Sequence, residues 1–151
     1  MAKRLLTILT ALFFVLTAAF AEETSEILMD KAVRIAEDGE NLIRMNEDDL
    51  YDVIGIEPEE YTDFAYLTDH DSLSGREIIL VRATDETAAE AVAEKLEEYR
   101  QYRLHMTRNY PDQAEAYRAL NQAEVLRENL LVVLSVAAPD PQEADLLLQE
   151  E

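Results

Sequence analysis

Residues 76–111 read REIILVRATDETAAEAVAEKLEEYRQYRLHMTRNYP, and this stretch decides the fold. Its first part, Glu77 to Ala83, is a short apolar run of the kind that forms a buried strand. Thr84 or Asp85 then caps a long helix that reaches Asn109 before Pro111 ends it. The apolar positions of this helix are spaced by threes and fours, and they are Ala88, Val92, Leu96, Tyr99, Met106 and Tyr110. The stretch therefore predicts a strand followed by an amphipathic helix.

Two further strands flank this unit. Thr62 to Thr68 contains an apolar cluster, and the turn residues of Asp69 to Gly75 join it to the next strand as an antiparallel hairpin. Asn129 to Ala138 is the most hydrophobic segment after the N-terminus and predicts a buried central strand. We therefore expect a two-layer α+β domain, in which one long helix covers a mostly antiparallel three-stranded sheet.

Short helices complete the prediction at both ends of the chain. Thr24 or Ser25 caps a helix to Asp38 with Gly39 as its stop, and the apolar face of that helix is Leu28, Ala32, Ile35 and Ala36. The remaining short helices run from Asn46 to Gly55, from Pro58 for one turn, from Pro111 to Gln122, and from Glu143 to Glu150.

The first 21 residues have the pattern of an export signal. Lys3 and Arg4 form a basic start, an apolar run follows, and Ala19 and Ala21 place small residues before a cleavage junction at Glu22. An uncleaved anchor is the alternative, although the apolar run is shorter than the ~20 residues of a membrane span. We expect residues 22–151 to form one mature domain, secreted or held in the cell envelope, with no transmembrane span after cleavage.

Charge and cysteine content limit the partners of that domain. Removing Lys3 and Arg4 from 13 Lys and Arg leaves 11 against 33 Asp and Glu, a net charge of −22. This charge argues against nucleic acid as a partner, because phosphate binding needs basic side chains. The chain has no cysteine, so we expect neither a disulfide nor a lipid anchor on an N-terminal cysteine.

Several segments together resemble a known family. They are Gly55 to Glu60, Arg76 to Asp85, an arginine-bearing helix, Tyr110-Pro111, and Ala123-Glu124-Val125 before an apolar strand. In this order they resemble a family of bacterial secreted proteins and lipoproteins catalogued as domain of unknown function 4358. Two departures stand out: the lipid-attachment cysteine of many members is missing, and a Lys-Gly-Asn-aromatic turn is replaced by Arg127-Glu128-Asn129-Leu130. The resemblance implies a fold and an export address but no catalytic residues.

Arg103 is the most unusual residue of the long helix, because it interrupts the apolar stripe between Tyr99 and Met106. A buried arginine needs a partner, so this residue either pairs with an inward-facing carboxylate or anion, or keeps its guanidinium in water at the edge of the core. The neighbouring residues form a small basic and aromatic patch on an acidic protein. We predict this patch as a binding surface, composed of Tyr99, Arg100, Tyr102, Arg103 and Arg108.

Metal and catalytic motifs receive little support. Asp69-His70-Asp71-Ser72 does not fit the calcium-loop template, because Ser74 stands where the loop requires glycine. The run Glu47-Asp48-Asp49 is explained by helix capping. The chain has no thiol, no G-x-S-x-G and no H-E-x-x-H. The sequence therefore predicts no catalytic residue, no metal ligand and no cofactor.

We expect an exported, non-catalytic domain that binds a protein or another partner at the cell envelope or outside the cell. Two alternatives stay open. One is a secreted hydrolase that uses paired carboxylates in the cleft between the long helix and the sheet, and the other is a weakly calcium-dependent structural protein.

Overall fold

The fold is described from a computed structural model, which covers residues 27–36, 42–70 and 75–136. Several predicted features lie outside these residues. They are the export signal with Ala19, Ala21 and Glu22, the cap and the stop of the N-terminal helix, the tip of the hairpin at 71–74, and the C-terminal helix.

A single five-stranded sheet forms the centre of the domain. Its strands are β1 (Leu42–Arg44), β2 (Tyr61–Asp69), β3 (Glu77–Ala83), β4 (Val125–Glu128) and β5 (Leu131–Val136). The order across the sheet is β1-β2-β3-β5-β4, and every neighbouring pair is antiparallel. The α+β class and the antiparallel hairpin of β2 and β3 are confirmed.

The prediction of three strands was wrong, because β1 and β4 add an edge strand on each side. These strands have three and four residues, and both carry arginine at an exposed position, Arg44 and Arg127. Short charged edge strands have little apolar patterning of their own. They become strands because β2 and β5 offer them a hydrogen-bonding edge, which local sequence does not reveal.

Among the described residues, four helices surround the sheet. They are α1 (27–35), α2 (Glu47–Asp49), α3 (Glu86–Thr107) and α4 (Ala114–Gln122). A π-helical turn at Leu50–Ile54 extends α2, and 3-10 turns at Pro58–Glu60 and Pro111–Gln113 precede β2 and α4. The predicted Asn46 cap is confirmed: its side chain accepts the backbone N–H groups of Asp48 and Asp49 at 2.8 and 3.2 Å.

The two-layer prediction was also wrong, because helices cover both faces of the sheet. Leu28, Ala32 and Ile35 of α1, together with Ala36 directly after it, are fully buried against the face that carries Ala65, Leu67, Ile78, Leu80, Leu131 and Val133. The opposite face, with Ile79, Val81, Val132 and Leu134, packs against α3, α4 and the Leu50–Ile54 turn. The apolar residues of β3 are therefore buried on both sides, so their uninterrupted apolar run identifies a strand but not which helix covers it.

Asp85 caps α3, since its side chain accepts the Ala88 N–H at 2.9 Å. The inward stripe differs from the predicted one near its C-terminal end. Ala89, Val92, Leu96 and Thr107 are buried, whereas Met106 is 45% exposed and Tyr110, beyond the helix, is 52% exposed. The inward positions of the last two turns are taken by the polar residues Arg103 and Thr107, so an apolar pattern cannot locate them.

Candidate functional site

A buried carboxylate lies where the C-terminal part of α3 crosses the sheet. Glu77, the first residue of β3, is 1% exposed. Its Oε1 accepts the hydroxyl of Tyr66 at 2.7 Å and that of Tyr99 at 2.8 Å, and its Oε2 accepts Arg103 Nη1 at 2.5 Å. We call these four residues the Glu77 cluster.

Sheet register and helix spacing bring the Glu77 cluster together. Tyr66 is the register partner of Ile79, two residues after Glu77 on the same face of β3. Tyr99 and Arg103 are four residues apart and therefore share one face of α3. The Arg103 guanidinium lies 5.9 Å from the Tyr99 ring centroid, within cation–π range. Three separate elements thus hold one ion pair.

The cluster keeps both tyrosines protonated and Arg103 charged. Burial, followed by the charge of Glu77, raises the pKa of Tyr99 to about 12. The same causes raise the pKa of Tyr66 far above its ordinary value. Burial by itself would lower the pKa of Arg103, but the charge of Glu77 and the hydrogen bonds of the cluster outweigh it, so the pKa of Arg103 is raised.

Of the two explanations for Arg103 in the helix stripe, the structure shows the pairing with an inward-facing carboxylate. The side chain of Arg103 is 19% exposed. Because Nη1 is bound to Glu77 and the ring of Tyr99 lies beneath the guanidinium, Arg103 serves mainly to anchor the end of α3 to β3.

Arg100 joins α3 to α4. Its Nε and Nη2 donate to the two carboxylate oxygens of Glu97 at 2.8 and 2.6 Å, and its Nη1 donates to the backbone oxygen of Leu120 at 2.7 Å. The hydrogen bonds from Arg100 lower the pKa of Glu97. The Leu120 carbonyl belongs to the last turn of α4, where carbonyl groups lack helical partners. All three donor atoms of Arg100 therefore have structural acceptors.

The other two predicted residues, Tyr102 and Arg108, are exposed. Tyr102 is 62% exposed, and helical spacing places it beside two more exposed residues, His105 and Met106. Arg108 lies one turn beyond His105, and Tyr110 follows the helix. We call these five residues the α3 end surface. The structure thus divides the predicted patch into an inward part, with Tyr99, Arg100 and Arg103, and an outward part.

The charge around the α3 end surface differs from that of the rest of the chain. Residues 99–111 contain three of the 13 Lys and Arg and none of the 33 Asp and Glu. No longer stretch without an acid follows residue 22. Within the described residues, no carboxylate forms an ion pair with Arg108. The surface is thus locally basic and apolar on an acidic protein.

Other parts of the described surface present fewer groups that could bind a ligand. A shallow open groove between α3 and β4 is lined by Ala93, Glu94, Glu97, Arg100, Glu124 and Val125, and its one cation is already bonded. Residues 27–36, 42–70 and 75–136 include no group of three or more His, Asp or Glu side chains placed to hold a metal ion. None of the helices in these ranges combines the length and the apolar character that crossing a bilayer requires.

Comparison with known proteins identifies the family. A family model described as "Domain of unknown function (DUF4358)" matches residues 36–137, about two thirds of the chain. The chain belongs to this family. The DUF4358 match spans the whole sheet, the Glu77 cluster and the α3 end surface. No curated protein and no solved structure significantly matches the chain.

Sequence reasoning found Arg103 in this DUF4358 domain but missed both Glu77 and Tyr66. The available signal was Glu77 itself, a lone acid directly before the apolar run Ile78 to Val81. A charged residue at a strand end is usually solvated, so only the crossing of α3 over the sheet identifies Glu77 as the partner of Arg103.

Proposed function

We propose that this domain is an exported, non-catalytic binding module that engages a protein partner at the cell envelope or outside the cell. The observation that carries the proposal is the α3 end surface, where exposed aromatic and methionine side chains coincide with the longest stretch without acids after residue 22. Aromatic residues, methionine and arginine are enriched in protein interfaces. The export part of the proposal rests on the N-terminal sequence pattern.

Rigidity of the last two turns of α3 supports this role. The Glu77 cluster holds these turns from the inner side, and Thr107 Oγ1 donates to the backbone oxygens of Arg103 and Leu104 at 3.0 and 3.2 Å. A surface on a fixed helix loses little conformational entropy when it binds. The inner residues therefore support the outer ones without needing to contact a partner.

The carboxylate hydrolase has less support. Two described acids are buried, Glu77 and Asp63. Glu77 accepts three hydrogen bonds from Tyr66, Tyr99 and Arg103, whereas Asp63 is the register partner of Arg82 and shares the sheet face of Ala65, by strand alternation. The two carboxylates therefore do not face each other across a cleft, as paired acid–base catalysis requires.

Affinity capture with matched variants tests the proposal. The tagged protein is recovered from the envelope and culture medium of its own cells, and co-purifying proteins are quantified by mass spectrometry. We expect a stoichiometric partner that is lost in the double variant Tyr102→Ala/Met106→Ala. Val33→Ala is the control, because Val33 is 47% exposed on α1, which covers the opposite face of the sheet.

Two outcomes would overturn this proposal. Capture that is equally strong in the double variant would remove the α3 end surface from partner binding. Recovery of the protein alone in every fraction would argue against a binding module. The same preparation tests export, since the mature protein is expected to begin at Glu22.

A further inference from the structure

The α3 end surface leaves large apolar side chains in water. Tyr102, Met106 and Tyr110 are 62%, 45% and 52% exposed, and they lie within nine residues of one another. Single exposed apolar residues need no explanation, but a group of them on one surface is typical of a contact site. Within the described residues nothing covers this group.

The chain leaves the sheet beside this surface. Val136, the last residue of β5, is the register partner of Glu77, whose carboxylate binds Arg103 on α3. The end of β5 at Val136 therefore lies at the end of the molecule where the last two turns of α3 lie. Residues 137–151 are outside the described residues, and all but the first are outside the range that the family model matches.

The sequence of this C-terminal segment complements the α3 end surface. It reads AAPDPQEADLLLQEE, with five acids, no basic residue and three consecutive leucines. In the helix predicted for residues 143–150, Ala144, Leu147 and Leu148 share one face through their i, i+3 and i, i+4 spacing, and Leu146 points away from it. The segment thus combines an apolar face with negative charge, whereas residues 99–111 are apolar and basic.

We propose that residues 143–150 pack in cis on the α3 end surface, with Leu147 and Leu148 against Tyr102 and Met106 and with the acids of the segment near His105 and Arg108. The six residues 137–142 between Val136 and this helix span at most about 20–22 Å when extended, whereas the last two turns of α3 are only about 11 Å long. The connection is therefore long enough.

This packing places the C-terminal segment in competition with any partner of the same surface. A partner binds only the fraction of molecules whose surface is uncovered, and its apparent affinity falls by that fraction. The inference does not depend on the proposed function, because the segment packs on the surface whether or not a partner exists.

Solvent exposure of the Met106 methyl group tests the inference in the purified protein, without a partner. Methionine-methyl NMR with a soluble paramagnetic agent is recorded for the unmodified protein, for Leu147→Ser/Leu148→Ser, and for the control Leu146→Ser. We expect the double variant to increase the relaxation of the Met106 methyl several-fold and the control to leave it unchanged. Met45, partly buried beside the core on α3's face of the sheet, serves as an internal reference.

Each other result contradicts the inference. Equal relaxation of Met106 in all three proteins would show that the segment does not cover it. Equal effects of Leu146→Ser and the double variant would exclude the proposed face. Protection that depends on protein concentration, with a dimer in sedimentation, would assign the surface to a second copy. Because no partner is present, these results are separate from the outcome of the capture experiment.

Discussion

At the scale of single residues, Glu77 is the position on which most of the polar structure depends. Its carboxylate is 1% exposed and receives hydrogen bonds from β2 and α3 at once. Removing one member of a buried ion pair leaves the other charge without compensation, which costs more than the pair itself contributes. The end of α3 is therefore attached to the sheet through a buried polar contact in addition to the apolar packing of Tyr99 and Leu104.

Glu77→Gln should lower the free energy of unfolding by about 3 kcal/mol, at the lower end of the range for a broken buried pair, because Arg103 keeps some contact with water. Denaturant unfolding measures this change. Glu98→Gln, on the exposed side of α3, is the control and should stay within about 0.5 kcal/mol of the unmodified protein. Adding Arg103→Met to Glu77→Gln should recover part of the loss. Equal stability of the two single variants would contradict the assignment of Glu77.

Alkaline titration should separate Tyr66 and Tyr99 from the other tyrosines. The pKa of Tyr99 is raised to about 12 in the folded protein, and that of Tyr66 is raised further, whereas an unfolded chain has a tyrosine pKa near ~10. The stabilising contribution of these hydroxyls is therefore complete below pH ~10 and is lost as the pH rises through the folded values. Tyrosinate absorbance should show a late phase that coincides with unfolding.

The late phase should shrink in Tyr99→Phe, because one of its two groups is gone. Tyr102→Phe, at an exposed position, should leave it in place. A late phase that survives unchanged in Tyr99→Phe would show that the phase arises elsewhere.

At the scale of elements, contacts between neighbouring segments explain the positions of several polar residues that belong to neither the Glu77 cluster nor the α3 end surface. Arg100 donates a hydrogen bond to the Leu120 carbonyl in the last turn of α4. Lys95 binds Glu60 at 2.5 Å, and this ion pair connects α3 to the turn before β2. Asn129 adopts a φ of 50° in the two-residue connection between β4 and β5. Asparagine tolerates this left-handed conformation, so the connection does not need a glycine at this position.

Gly75 should be less replaceable than Gly55, although both have positive φ, 69° and 83°. A Cβ at Gly75 would lie 2.6 Å from Ala116 Cβ and 2.9 Å from Ala116 Cα, whereas at Gly55 it meets nothing within 4 Å. Gly55→Ala should cost about 1–2 kcal/mol for the backbone conformation alone. Gly75→Ala should cost about 1–3 kcal/mol more, because α4 must move. Thermal unfolding compares the stability of the two variants. Equal losses of stability would mean that α4 moves to accommodate the added methyl group at no cost in free energy.

At the scale of the whole molecule, the net charge of −20 opposes the compact state through self-repulsion. The chain has 33 Asp and Glu against 13 Lys and Arg, so most acids lack a basic partner. Among the described residues, Glu60, Glu77, Glu90 and Glu97 form ion pairs within 4.0 Å. Most acids are therefore solvated and repel one another. Screening by salt should consequently stabilise this protein.

Sodium chloride should raise the melting temperature, because a shorter Debye length weakens repulsion between the solvated carboxylates. Calcium chloride at the same ionic strength is the matched comparison, and we expect a similar rise. A clearly larger effect of calcium would favour the calcium-dependent alternative, since a bound ion stabilises the folded state by mass action. A melting temperature that falls with sodium chloride would contradict the repulsion argument.

The local sequence was sufficient to predict those elements whose characteristic pattern lies within the element itself. The apolar run of β3, the apolar cluster of β2, the Asn46 cap and the buried face of α1 are all confirmed by the structure, because strand propensity, capping and helical periodicity act over a few residues. The family was recognised from the order of such segments, and the family model bears it out.

Tertiary structure alone decided what depends on contacts between distant segments. The edge strands β1 and β4 exist because β2 and β5 offer unpaired backbone groups, and α1 lies opposite α3 because β3 is apolar on both faces. Glu77 became the partner of Arg103, 26 residues away, because α3 crosses β3 at that point. Sequence alone thus determined the helices that lie within the described residues, the three long strands and one unusual arginine. Packing determined the sheet's edges, its second helical layer and the carboxylate that binds this arginine.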